Sequence, residues 1–245
     1  MEFAYNPLWS TPPETLRLER SEVHIWRVFL NQTPTRINEF LGMLTPDEQA
    51  KANQFCFIKK REQFIVAHGL LRSILGRYLD MAPEQIRFFY NSYGKPYITC
   101  EPGKDKLQFN MSHSHGIALY ALTCDREIGV DIEYIRSDIA YEQIAKRFFS
   151  SEELAELQGL SLKKQKEAFF CFWTRKEAYL KAKGKGFSLP LDSLEASTIQ
   201  EKPVVLSTKS GLQESSHWSI LNLRLEPGYI GALAVNFRVR SSFFT

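Results

Sequence analysis

The sequence predicts an α+β fold in two halves. Segments whose apolar residues recur every three to four positions are followed by short runs rich in β-branched and aromatic residues, and this order occurs twice. Two helix-start signatures, TPDE at 45–48 and SSEE at 150–153, open a helical region in each half. The 245 residues, 44% of them hydrophobic, supply enough apolar side chain for one large domain or two packed ones. No low-complexity linker marks the division. It falls near 124–126 and gives halves of 1–124 and 125–245.

The first element is a strand, VHIWRVFL at 23–30, a continuous β-branched and aromatic run. Thr45, Pro46 and Glu48 then cap a helix that reaches toward FCF at 55–57. In the longer helix IKKREQFIVAHGLLRSILGRYLD, Phe64, Ala67, Leu71, Ile74, Leu75 and Tyr78 recur at helical spacing, which predicts one buried face. Short strands follow at 86–90, 96–98, 107–112, 117–123 and 128–135, with NSYG at 91–94 as a hairpin turn. Ser150 and Glu153 cap the next helix, and a long helix from about Lys163 to Lys183 ends at Gly184. WSILNLRL and YIGALAVNF read as closing strands. No internal repeat is visible in the residues.

A net charge of +3 does not demand a nucleic-acid partner. The N-terminal stretch has no basic region followed by an apolar run, and no segment approaches the ~18 apolar residues of a membrane span. A cytoplasmic protein is expected. Cys56, Cys100, Cys124 and Cys171 lie far apart among apolar or aromatic neighbours, which predicts buried free thiols.

Charge is concentrated locally. FWTRKEAYLKAKGKG at 172–186 carries five Lys or Arg against the single acid Glu177, a basic stretch suited to phosphates or an acidic partner. Phe169, Trp173, Glu177 and Lys181 follow every four residues, so two anchors and two reaching groups share one helix line. In GVDIE, Asp131 and Glu133 leave the same strand face. Two carboxylates held that close call for a hard divalent cation, Mg²⁺ or Mn²⁺, unless the face is simply solvated. For Glu177 and Lys181 the plain alternative is a surface ion pair. YGKP places Lys95 after a flexible Gly94, and FNMSHSHG crowds Ser112 and His113 at a strand end. Both could meet an anion, or be ordinary turns.

Taken in order, YGKP (93–96), FNMSHS (109–114), IGVDIE (128–133), AKRFFS (145–150), FWTRKEAYLKAKGKG (172–186) and LPLDS (189–193) resemble the 4'-phosphopantetheinyl transferases, in particular the large pseudo-dimeric, surfactin-synthetase-associated (Sfp-type) class. The resemblance is weaker over LTPDEQAKANQF (44–55) and the helix after it, and it gives out in the first 40 and last 50 residues. It implies a monomer of two similar α+β halves with coenzyme A in the cleft between them. It also implies Mg²⁺-dependent transfer of phosphopantetheine to a serine of an apo acyl, polyketide or peptidyl carrier protein. By that likeness Asp131, Glu133 and Glu177 hold the metal, Glu177 is also the base, and Lys181 assists departure of 3',5'-adenosine bisphosphate. Gly94, Lys95, Asn110, Ser112 and His113 meet the nucleotide, and Lys59 or Arg61 the 3'-phosphate. The rival chemistry is a Mg²⁺-dependent phosphodiesterase or nuclease, which leaves YGKP and FNMSHS unexplained.

Overall fold

The computed structural model describes residues 9–99, 105–188, 191, 194–195, 207–208, 218–236 and 240–244. Each half runs in the same order. The first has strand β1 (Glu22–Phe29), helices α1 (Pro34–Met43), α2 (Pro46–Asn53) and α3 (Ile58–Leu79), the hairpin β2 (Phe89–Tyr90) and β3 (Pro96–Tyr97), then β4 (Leu107–Ser114) and β5 (Ile117–Cys124). The second has β6 (Ile128–Tyr134), helices α4 (Tyr141–Phe148), α5 (Ser151–Gln158) and α6 (Leu162–Lys183), the short pair β7 (Leu194–Glu195) and β8 (Ser207–Thr208), then β9 (Ser219–Arg224) and β10 (Tyr229–Val235). The third helix of each half has 22 residues. The sheet orders also correspond, β1-β5-β4 and β6-β10-β9, all antiparallel. The halves are therefore similar in topology although no repeat shows in their residues. The last strand, β11 (Arg240–Phe244), returns to the first sheet and pairs in parallel with β1.

Alternation along β5 explains the layering. Ala118, Tyr120 and Leu122 join one core with α3, while Ile117, Leu119 and Ala121 join a second core with Val130, Ile132, Leu233 and Val235. α6 closes the far side of the second sheet through Ala178, Tyr179 and Ala182 against Ile220, Ala232 and Ala234. The order is thus α3, first sheet, second sheet, α6.

Both expected capping boxes are present, Thr45 with Glu48 and Ser150 with Glu153, and Gly184 ends α6 at φ 61°. Three expectations need correction. α3 is buried on more than one face, because α1 covers its other side: a Cβ on Gly69 would lie 2.5 Å from that of Phe40. The strand expected at 86–90 shrinks to Phe89–Tyr90, since the Arg72 guanidinium takes the Ile86 carbonyl. Cys56 is exposed, whereas Cys124 is buried and Cys171 half-buried. Cys100 lies outside the described residues.

Glu48 does more than cap α2. Its carboxylate also accepts from the buried Arg72 at 2.8 Å. Burial alone would raise its pKa, but His68, the Thr45 backbone N–H and Arg72 outweigh that and hold it at about 2. A depressed folded-state pKa gives stability that is present above the ordinary carboxylate value and lost as pH falls through the folded one. Thermal melts should therefore drop between pH ~4.5 and ~2, and Glu48→Gln should flatten that acid limb. An unchanged limb would show that this pair is not what titrates.

Candidate active site

Asp131 and Glu133 lie on the face of β6 turned toward α6, while Val130 and Ile132 enter the core between the sheets. Gly129 sets the distance. A Cβ there would sit 2.0 Å from the Ala178 carbonyl and 2.4 Å from the Ala182 nitrogen, so only glycine lets α6 lie directly on the strand. That contact brings Glu177 and Lys181 of α6 to the carboxylates of β6. Lys181 Nζ lies 2.6 Å from Asp131 Oδ1 and donates to Ser112 Oγ at 2.8 Å.

The other edge of β6 faces β4, and there side chains take the place of strand pairing. Asn110 Oδ1 accepts from Val130 N–H at 2.9 Å, Ser112 Oγ from Ile132 N–H at 3.4 Å and Ser114 Oγ from Tyr134 N–H at 3.1 Å. The two serines also donate to the acids, Ser112 to Asp131 at 2.9 Å and Ser114 to Glu133 at 3.1 Å. FNMSHS is therefore a polar ladder that joins the halves and orients both carboxylates. Ser114 is absent from the sequence expectation. Its signal is the period-two spacing of Asn110, Ser112 and Ser114 on one strand.

Asp131 is only 4% exposed, which rules out the solvated strand face. Burial pushes its carboxyl upward against the pull of Lys181 and Ser112. Glu133 is raised by burial and then by Asp131. Glu177 is pushed up to about 7, first by burial, then by Asp131 and Glu133. Asp131 raises both glutamates and Glu133 raises Glu177, so like charge accumulates on Glu177. Among the described residues no group of three His, Cys, Asp or Glu side chains is placed to hold a metal ion in this conformation. Acids that repel one another have no reason to close up without a cation between them. Two buried oxygens do lack partners, Oδ2 of Asp131 and Oε1 of Glu177. Orphaned carboxylate oxygens are the donors a hard divalent ion takes, so the residues fit such an ion.

Beside these groups lies a cavity of about 230 Å³. Tyr93, Gly94, Lys95 and Asn110 from the first half and Glu177 and Lys181 from the second line it. Gly94 adopts φ 84° at the hairpin tip, with nothing near its Cα face. The Lys95 ammonium donates to the carbonyls of Ile128 and Ala182, and burial pulls its pKa down to about 8, with Glu127 acting in the opposite sense. His113 stands exposed at the end of β4. Crowding by protein atoms and the charges of Lys181, His68 and Lys60 hold its pKa below the ordinary value. Lys59 and Arg61 sit at the start of α3, Lys59 exposed and Arg61 donating to Asn53 at 3.2 Å; neither lines the cavity. Of LPLDS, only Leu191 is among the described residues.

The basic stretch differs from expectation. Arg175 is 2% exposed and donates to Asn222, and Lys176 is fully buried against Glu153 at 2.8 Å and the Leu191 carbonyl. Lys183 lies near Glu127 and over the Trp218 ring. Of the five cations only Lys185 is exposed, so the stretch is not a basic docking face. The helix turns its cations toward acids and carbonyls on neighbouring elements, which sequence spacing alone does not reveal.

A family profile described as the 4'-phosphopantetheinyl transferase superfamily matches residues 127–234, and one described as 4'-phosphopantetheinyl transferase, N-terminal, matches 31–124. The chain is 39% identical over 227 residues to the 4'-phosphopantetheinyl transferase HetI of Nostoc sp., covering 93% of each. It is 32% identical over 190 residues to the 4'-phosphopantetheinyl transferase Sfp of Bacillus subtilis, covering 78% of this chain and 81% of that one. Among solved structures, the holo-[acyl-carrier-protein] synthase of Thermotoga maritima aligns with 46% of this chain and 63% of its own at 20% identity and a TM-score of 0.37. None of these relatives supports the phosphodiesterase or nuclease alternative. Matched along nearly its whole length by such a relative, the chain belongs to the 4'-phosphopantetheinyl transferases.

Proposed function

We propose that this transferase moves the 4'-phosphopantetheine group of coenzyme A onto a serine of an apo carrier protein at the junction of β6 and α6. The observation that carries this placement is the cluster of the buried Asp131 with the half-buried Glu133, Glu177 and Lys181, beside a cavity lined by both halves. In the reaction the serine oxygen forms a bond to the phosphorus that bears pantetheine. The bond from that phosphorus to the bridging oxygen breaks, and 3',5'-adenosine bisphosphate leaves.

Glu177 lines the cavity one helical turn before Lys181, and its carboxylate is the group that would accept the serine proton. Lys181 lines the cavity and is 30% exposed, so it can reach the pyrophosphate and offset charge on the leaving group. Asp131, Glu133 and Glu177 would hold Mg²⁺ or Mn²⁺, which when bound supplies charge compensation at the pyrophosphate. Gly94 and Asn110 line the cavity for the nucleotide end of coenzyme A. Ser112 orients Lys181 and Asp131. His113 offers a ring N–H to a phosphate oxygen, and Lys59 or Arg61 meets the 3'-phosphate from the start of α3. The enzyme acts as a cytoplasmic monomer, each chain supplying both walls of its cavity; among the described residues no helix is long and apolar enough to cross a membrane.

The test is transfer to a panel of apo carrier proteins in the presence of coenzyme A and Mg²⁺, read as the phosphopantetheine adduct by mass. Lys181→Ala should lower kcat by on the order of a hundredfold, the size expected when one electrostatic contact to a developing charge is removed. A change confined to carrier KM, with kcat intact, would place Lys181 in docking instead.

A further inference from the structure

We propose that Lys95 is a positioning residue, whose ammonium fastens strand β6 to helix α6 and so holds Asp131 against Glu177 and Lys181. The inference rests on the reading that those residues carry the reaction. Lys95 Nζ donates to Ala182 O at 2.7 Å and to Ile128 O at 3.1 Å. Ala182 directly follows Lys181, and Ile128 stands three residues before Asp131. One side chain from the first half thus bridges the two elements of the second half on which the site is built.

The surroundings are shaped for this contact. Ala182 belongs to the last turn of α6, where carbonyls have no partner within the helix and the helix dipole favours a cation. Asn91, from the same hairpin, donates to Gly184 O at 2.7 Å. Its Oδ1 accepts from the N–H groups of Tyr93 and Lys95, each at 2.9 Å, which fixes the turn that carries the lysine. A Cβ on Gly184 would lie 2.7 Å from Lys95 Cδ and 3.0 Å from Asn91 Nδ2, so the hairpin sits tightly on the helix end. Two of the three ammonium donors are committed to backbone carbonyls. A lysine kept for a phosphate would hold those donors toward the cavity.

The test separates positioning from phosphate binding by kinetics of Lys95→Met, Lys95→Arg and Asn91→Ala, with Glu177→Gln as a reference. Lys95→Met and Asn91→Ala should each lower kcat by about tenfold or more, since small displacements of reacting groups are costly. KM for coenzyme A should stay within about twofold, because the donors that are lost go to backbone carbonyls. Lys95→Arg, which keeps donors at this position, should recover part of kcat. A large rise in coenzyme A KM for Lys95→Met with Asn91→Ala unaffected would overturn the proposal in favour of a phosphate ligand. Parent kcat in both variants would also overturn it. If melting shows Lys95→Met unfolded at the assay temperature, Asn91→Ala, which removes a single contact to α6, decides. Glu177→Gln transferring at the parent rate would instead sink the site assignment itself.

Discussion

Replacing Gly129 with alanine is expected to cost both stability and activity. The new methyl would meet backbone atoms of α6, the Ala178 carbonyl at 2.0 Å and the Ala182 nitrogen at 2.4 Å, and backbone cannot rotate aside as a side chain can. The helix must lift from the strand. Interiors packed at crystal density resist such insertion, which typically costs about 1–3 kcal/mol and occasionally more. The lifted helix carries Glu177 and Lys181 away from Asp131. A displacement of about 1 Å at reacting groups can cost roughly a hundredfold in rate. Denaturant midpoint and kcat should both fall. Gly42→Ala in α1 is the control, for no atom lies within 4 Å of its added Cβ, and it should leave both measurements near the parent. A Gly129→Ala protein with parent midpoint and parent kcat would mean that α6 is not seated on β6 as described.

Asp131→Ala should remove transfer while leaving the chain folded. The carboxylate is the ion partner of Lys181, the acceptor of the Ser112 hydroxyl and the owner of an orphaned buried oxygen. Losing it removes a proposed metal ligand and lets Lys181 move, and a fall in kcat of roughly 10²–10³ or more is expected. The fold should survive because burial already disfavours this charge, and Lys181, partly exposed, can turn to solvent. The change also has a signature independent of activity. Asp131 raises Glu177, so its removal should bring the Glu177 pKa down from about 7, measurable by NMR titration of the side-chain carboxyl. Transfer at the parent rate, or an unmoved Glu177 titration, would show that the acids do not act on one another.

What is local in origin was legible from the residues. Thr45 and Ser150 cap helices through contacts three positions away, and Gly184 ends α6 because glycine accepts a left-handed conformation. The two-residue period of β6 put Asp131 and Glu133 on one face, and the four-residue spacing of α6 put Glu177 and Lys181 on one line. The combination of motifs was specific enough to indicate the family. The destination of charge was not legible. Arg175 and Lys176 read as a surface, yet Asn222, Glu153 and the Leu191 carbonyl reach them from elements far along the chain.

Thus the sequence by itself determined the two capped helix starts, the end of α6 and the faces on which the acids and Lys181 stand. Only the tertiary structure decided that β4 joins β6 through Asn110, Ser112 and Ser114, that Lys95 holds backbone carbonyls of β6 and α6, and that β11 returns to β1. Caps and periodicity arise from neighbours within a turn or two of chain. A buried donor or acceptor takes whichever partner the packed layers bring to it, and that partner is set by distance in space and not along the sequence.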